Sequence, residues 1–283
     1  MSRKVPPYSA ERPSIEYLTH RGPYEIAAGT LDEIGLPGLV LAPRTGPRLP
    51  AVVLGHGYLQ PVDRYAWLLT FLASWGFVAA APATERGIVP SHAGLALDMA
   101  RTLDRLADTK LNNGRVTVDR RRLAVIGHGI GGGAAGLAAA AGAPLGRATA
   151  TMFATATFPS AAEAAAAVTT PSLHLVGSAD TVATPDADGE AIARAWAGPV
   201  QLRRIKGATH LSIVEGRHLT STLLGDRGSR RVRRSVTTAM TAFLLCHVAG
   251  HAQLAEVLDG TIAGAVPIPL TPAAEDTAEG AVR

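Results

Sequence analysis

Residues 123–133 read Leu-Ala-Val-Ile-Gly-His-Gly-Ile-Gly-Gly-Gly. Four apolar residues make a short buried strand. The glycine-rich turn that follows opens a run of small residues, Gly131 to Ala141, composed like a closely packed helix. A strand that turns sharply into a helix presents the residue at its tip, and the spacing fits Gly-x-Ser-x-Gly, where a serine at the tip is a nucleophile. Here the tip is Gly129. An elbow residue holds a strained conformation with positive φ, which costs a non-glycine residue about 1–3 kcal/mol. Glycine adopts it freely. A glycine at 129 therefore preserves the turn and removes the attacking oxygen.

Gly127, Gly129 and Gly132 also satisfy Gly-x-Gly-x-x-Gly, the dinucleotide-binding fingerprint. That alternative requires an acidic residue about 20 positions later to hold a ribose. The next apolar run, Thr149 to Thr155, and its exit hold no Asp or Glu, and strand–helix units already precede the turn.

Working outward, apolar strands and amphipathic helices alternate. Ala51–Leu54, Phe77–Ala81, Leu123–Ile126, Thr149–Thr155, Leu173–Val176 and Val200–Ile205 have the composition of buried strands. Helical spacing runs from Tyr65 to Trp75, stopping at Gly76, and from Leu95 to Ala107 with Leu95, Met99, Leu103 and Leu106 on one face. Further helices are expected over Asp186–Trp196, Arg230–Val248 and Gln253–Leu258. Two strands around Leu31–Pro37 form an expected antiparallel hairpin. The alternation predicts an α/β fold, a mostly parallel sheet with helices on both faces, in one domain spanning 1–283. Residues 1–14 and the acidic tail after Pro267 are expected to be loosely ordered. Only about 20 residues separate Phe153 from Leu173, which leaves no room for a large lid.

Three further motifs each follow a strand. Gly55-His56-Gly57-Tyr58 stands where a backbone amide, that of Tyr58, would join the amide of Ile130 in binding a developing oxyanion. Gly57 read in isolation is simply a tight turn. Gly177-Ser-Ala-Asp180 places a carboxylate that can orient a histidine. Asp180 read in isolation is a helix cap or an Asx-turn. Gly207-Ala-Thr-His210 sets a histidine, suited to a general base, thirty positions later in a loop past the last strand. The chain order of elbow, acid and histidine is that of the α/β-hydrolases. Ser91, Ser160 and Ser178 lie in other loops, and spacing brings none of them to the elbow. His56, His92, His128 and His210 lack metal-ligand spacing such as H-x-H, so His56, Gly57 and His128 are taken as polar neighbours of a pocket and no metal or cofactor is expected.

These residues resemble a known group. GHGIGGG (127–133) is similar to the GHSMGGG elbow of the dienelactone-hydrolase-like and actinomycete cutinase group, which includes the polyester hydrolases. GSADTVATP (177–185) resembles that group's acid loop and GATH (207–210) its histidine loop. Trp67–Val78 and Val118–His128 also match, so the likeness runs from about Ala51 to His210. It implies an α/β-hydrolase fold with Gly129 at the nucleophile position, Asp180 as acid, His210 as base, the amides of Tyr58 and Ile130 as oxyanion donors, and Phe158 nearest to the group's aromatic clamp. It also implies a carboxylic ester or lactone hydrolase lineage, inactive or very weak without its serine. An engineered Ser-to-Gly change and a natural pseudoenzyme both produce this sequence. The alternative is a non-catalytic protein that binds an acyl or carbonyl ligand in the same pocket.

The 283 residues carry a formal net charge of +4 and 47% hydrophobic residues. The one dense basic run, Arg227 to Arg234, precedes an apolar helix and has no aromatic residues interleaved, so a solvated helix start is expected and nucleic acid is not. No stretch has the ~20 apolar residues of a membrane span. Cys246 is the single cysteine, set among apolar neighbours as an inert core thiol. With no apolar leader segment at the N-terminus, a cytoplasmic location is expected. The expected partner is a small-molecule ester or acyl ligand.

Overall fold

The computed structural model describes residues 15–142, 146–184, 188–216 and 229–270. The strands are β1 (Ile26–Thr30), β2 (Gly38–Pro43), β3 (Gly46–Gly55), β4 (Val78–Pro82), β5 (Val116–His128), β6 (Ala148–Met152), β7 (Ser172–Gly177), β8 (Val200–Ile205) and β9 (Ala265–Pro267). Among the described residues they form one sheet in the order β1-β2-β4-β3-β5-β6-β7-β8-β9. The strands from β4 through β8 run parallel. The β1–β2 hairpin is antiparallel at one edge and β9 is antiparallel at the other. The helices are α1 (Ile15–Leu18), α2 (Ala66–Ser74), α3 (His92–Asp108), α4 (Ile130–Ala140), α5 (Ala161–Ala165), α6 (Gly189–Ala195), α7 (Arg230–His247) and α8 (Ala255–Asp259).

The period of two along the central strands divides the core between the sheet's faces. Val52, Leu54, Ala124 and Ile126 pack with Leu68, Leu69 and Leu72 of α2 and Val236, Met240 and Phe243 of α7. Their neighbours Ala51, Val53, Leu123 and Val125 pack with Leu95, Met99 and Leu103 of α3 and Ala134, Ala135 and Ala138 of α4. Both faces are covered, which is why these strands read as unbroken apolar runs rather than as alternation. Each fully buried Leu or Phe contributes about 1.5–3 kcal/mol of apolar burial.

The structure departs from the expected elements in instructive places. Strand β3 starts at Gly46 and β5 at Val116 because Gly46 and Leu49 pair with Val116 and Val118 in an irregular extension. The charged stretch Asp119–Arg122 hides it, since Arg120 turns outward to Asp104 and Asp108 on α3. Strand β6 stops at Met152 rather than Thr155: Phe153 still donates to the Leu175 carbonyl at 2.7 Å, but its φ of +50 turns the chain away after that bond. Helix α5 was not expected, nor was β9, which lies just ahead of the tail and pairs with Arg203–Ile205. The connection from β6 to β7 holds only the five-residue α5, with no lid. Asp186, the expected start of α6, lies outside the described residues, as do residues 1–14 and 271–283 and the first residues of the basic run. Ser229 caps α7, whose first five residues include the exposed Arg230, Arg231 and Arg234. Among the described residues no helix is long and apolar enough to cross a membrane.

Candidate functional site

The site forms where loops leave the C-terminal ends of β3, β5, β7 and β8. Gly129, between β5 and α4, has φ 55 and ψ −123. Its N–H donates to the Met152 carbonyl at 3.1 Å, and its own carbonyl accepts from Gly132, Gly133 and Thr155. The glycines beside it serve close packing. A Cβ at Gly127 would stand 1.9 Å from the Gly131 oxygen, and one at Gly131 would stand 2.2 Å from the Gly55 oxygen. Helix α4 therefore rests directly on β3 and β5. Gly129 differs. Its Cβ would point to His210 Nε2 at 3.1 Å, with the Gly57 Cα at 3.6 Å. Elbow, histidine loop and β3 turn thus converge on one point.

Asp180 and His210 meet. His210 Nδ1 lies 3.0 Å from Asp180 Oδ2, and the Asp180 side chain is fully buried. Asp180 Oδ1 accepts from the N–H groups of Val182 and Ala183, each at 2.9 Å. The carboxylate is therefore an Asx-turn and a histidine partner at once. The His210 loop is anchored from outside: Trp67 Nε1 donates to the Ile213 carbonyl, Arg64 to the Glu215 carbonyl, and Arg233 to the Glu215 carboxylate and the Val214 carbonyl.

The sequence reads His56 and His128 as polar neighbours of a pocket. Both are wholly buried. His56 Nδ1 and Nε2 lie against the carbonyls of Gly57 and Thr84. His128 is bound between Tyr65 Oη and the His210 carbonyl. The two histidines support the site from beneath. Burial, reinforced by the neighbouring His210, holds the His128 pKa well below the usual imidazole value. Gly57 is a glycine because of close approach, not φ: its Cβ would meet His128 Nδ1 at 2.6 Å.

The rim is apolar. Phe158, Ile88 and Val89 are strongly exposed, and Tyr58, Leu59 and Val182 are about half exposed. Tyr58 Oη donates to the Ile88 carbonyl, and His92 Nδ1 accepts from the Phe158 N–H, which ties the rim loops together. The other loop serines have structural duties. Ser91 and Ser160 cap α3 and α5, and Ser178 Oγ accepts from Gly207 N–H. Cys246 is half-buried on α7, and burial raises its thiol pKa. Tyr65, which reads as one more residue of a helix face, is the site-adjacent residue that sequence pattern misses. The one clue is a hydroxyl on an otherwise apolar face.

The family model described as PETase, PET hydrolase-like, matches residues 7–211. Cutinase est1 of Thermobifida alba is 30% identical over 117 residues, which cover 40% of this chain and 39% of that protein. The alignment thus spans about two fifths of the length of that curated relative. With the mostly parallel sheet covered on both faces, the match shows that this chain has the α/β-hydrolase fold and belongs to the PET hydrolase-like family.

Proposed function

We propose that this chain is an ester-hydrolase scaffold in which Gly129 occupies the nucleophile position, Asp180 and His210 form the acid–base pair, and the amides of Tyr58 and Ile130 are the oxyanion donors. The observation that carries the reading is the direction of the Gly129 Cβ position, 3.1 Å from His210 Nε2. A hydroxyl on that carbon would fall within hydrogen-bond reach of a base that Asp180 already orients. Without it, no acyl-enzyme can form. His210 can only draw a proton from water, and the oxyanion amides remain. Such remnants retain about 10³–10⁴-fold over the uncatalysed reaction.

The ligand class on this reading is a carboxylic ester, lactone or related acyl compound. The exposed apolar side chains of Tyr58, Ile88, Val89 and Phe158 on these loops suit a hydrophobic ester. That agrees with the relative named a cutinase and with the family described as PET hydrolase-like. The same reading takes the chain as one domain and, from its single cysteine, as a protein of the cytoplasm. Binding without turnover is the second reading, favoured by the missing hydroxyl itself.

Gly129→Ser tests the assignment. The serine variant is expected to hydrolyse short-chain p-nitrophenyl esters and to be labelled by a fluorophosphonate at position 129 alone. Both activities should disappear on adding His210→Ala. A folded Gly129→Ser that neither labels nor hydrolyses would leave the binding reading in its place. Turnover of about 1–10³ s⁻¹ by the chain as it stands, the ordinary enzyme range, would mean that the nucleophile lies elsewhere.

A further inference from the structure

Beneath the site, hydrogen bonds link the segments that converge on Gly129. Tyr65 closes the turn Val62–Tyr65 before α2. Its hydroxyl receives the Gly57 N–H at 3.0 Å and lies 2.6 Å from His128 Nδ1. His128 Nε2 lies 2.9 Å from the His210 carbonyl oxygen. The His210 carbonyl only accepts, so the His128 proton is on Nε2, and because burial keeps the ring neutral Nδ1 offers a lone pair. Tyr65 therefore gives its one proton to Nδ1, and His128 carries its own proton on Nε2. Neither side chain has exposed surface. The His128 and His210 rings lie 4.7 Å apart with 37° between their planes.

We propose that Tyr65 and His128 are positioning residues that hold the Gly57–Tyr58 turn and the His210 loop in one register, so that base and oxyanion amides face the same point above residue 129. This rests on the roles assigned above to His210 and Tyr58. Neither Tyr65 nor His128 touches a bound carbonyl. Phenylalanine at 65 keeps the ring packing but leaves the Gly57 N–H and His128 Nδ1 without partners. His128 is then free to move its proton to Nδ1 and turn a lone pair toward the His210 carbonyl.

NMR of the histidine rings in the full chain is expected to find the His128 proton on Nε2, and a far-downfield Nδ1 proton on His210 from its bond to Asp180. Tyr65→Phe is expected to shift or broaden that His210 proton. In the Gly129→Ser chain, Tyr65→Phe is expected to slow fluorophosphonate labelling and ester kcat about tenfold, the rate equivalent of one buried hydrogen bond, with KM within about twofold. Thr151→Val is the matched control. It deletes another buried hydroxyl–imidazole bond, to His174 at 3.0 Å, between the neighbouring strands β6 and β7 and outside the Tyr65–His128–His210 chain of hydrogen bonds. It is expected to lower the melting temperature and leave both the labelling rate and the His210 proton unchanged. A His128 proton on Nδ1, an unmoved His210 proton in Tyr65→Phe, or equal slowing by Thr151→Val would overturn the proposal. If Gly129→Ser fails to label with Tyr65 intact, the nucleophile assignment falls instead, and the ring-proton readouts still decide the positioning role.

Discussion

Alanine at Gly127 and alanine at Gly129 should have very different costs, although the two glycines share one turn. At Gly127 the new Cβ would stand 1.9 Å from the Gly131 oxygen, 2.2 Å from the Gly131 carbonyl carbon and 2.6 Å from the Gly132 nitrogen. All three are backbone atoms of the first turn of α4, so no rotamer change relieves the clash. Carbon contacts settle near 3.5–4 Å, so α4 must retreat from β5 by more than ~1 Å. That retreat also undoes the approach of Gly131 to the Gly55 carbonyl. The cost exceeds the usual overpacking penalty of about 1–3 kcal/mol. At Gly129 the nearest atom is the tip of a side chain, His210 Nε2 at 3.1 Å, which can yield by a few tenths of an ångström. The remaining cost is conformational: about 1–3 kcal/mol for φ 55 in a residue with a Cβ. A gain of about 0.4–1 kcal/mol from a less flexible unfolded chain partly offsets it. The net loss for Gly129→Ala is therefore about 1 kcal/mol, and for Gly127→Ala at least about 3 kcal/mol, a large part of a typical total stability.

Urea unfolding followed by tryptophan fluorescence measures both, with the midpoint reporting stability as long as the slope is unchanged. If the two variants lose equal stability, or if Gly127→Ala is tolerated better, then packing and not backbone conformation governs position 129. The claim that the tip is open to a side chain would then fail.

Asp180→Asn, placed beside Gly129→Ser, should retain the fold, because the amide oxygen still accepts from Val182 and Ala183 at 2.9 Å. Its NH2 would face His210 Nδ1, force the imidazole proton to Nε2, and cost about 10⁴ in kcat, as the same change does in serine proteases. Ester kinetics within tenfold of the parent would refute Asp180 as the group that sets the tautomer. Acid stability is the other expectation. Burial lowers the pKa of His174 to about 3 and that of His128 well below the ordinary value. Below about pH 6.5 the unfolded chain takes up protons that the folded chain refuses. The penalty is therefore absent above that pH and grows on acidification by about 1.4 kcal/mol per pH unit for each group. Urea midpoints should fall between pH 7 and pH 5, and His174→Leu should flatten that fall; an unaltered slope would show that His174 titrates in the folded state.

Much of this architecture is legible in the chain because its central strands are short, apolar and covered on both faces. The stretch Leu123–Ile126 needs no knowledge of its neighbours to read as a strand. The extension of the same strand back to Val116 does need it. Asp119–Arg122 are tolerated there because Arg120 finds Asp104 and Asp108 on α3, a contact no local pattern announces. Strand β9 is likewise a product of its partner. Only three residues long, it exists because Arg203–Ile205 offer an edge, and the Arg203 guanidinium binds the carbonyls of Ala265 and Gly260.

The candidate site divides the same way. Gly129, Asp180 and His210 could be picked out because each closes a strand, and order along the chain carries information about which strand ends become neighbours. His128 and His56 could be placed near the site but not oriented. Whether a side chain beside a sharp turn faces solvent or the interior depends on what lies below it, and below His128 lies Tyr65, 63 residues away in sequence. Asp180 shows a different limit. A capping carboxylate and a histidine-orienting carboxylate look like competing explanations of one residue. Asp180 satisfies both, because Oδ1 accepts the Val182 and Ala183 amides while Oδ2 faces His210 Nδ1. The turn fixes the carboxylate without consuming the oxygen that the imidazole needs. An aspartate that caps its own loop is therefore better able to orient a histidine than one held by its side chain alone.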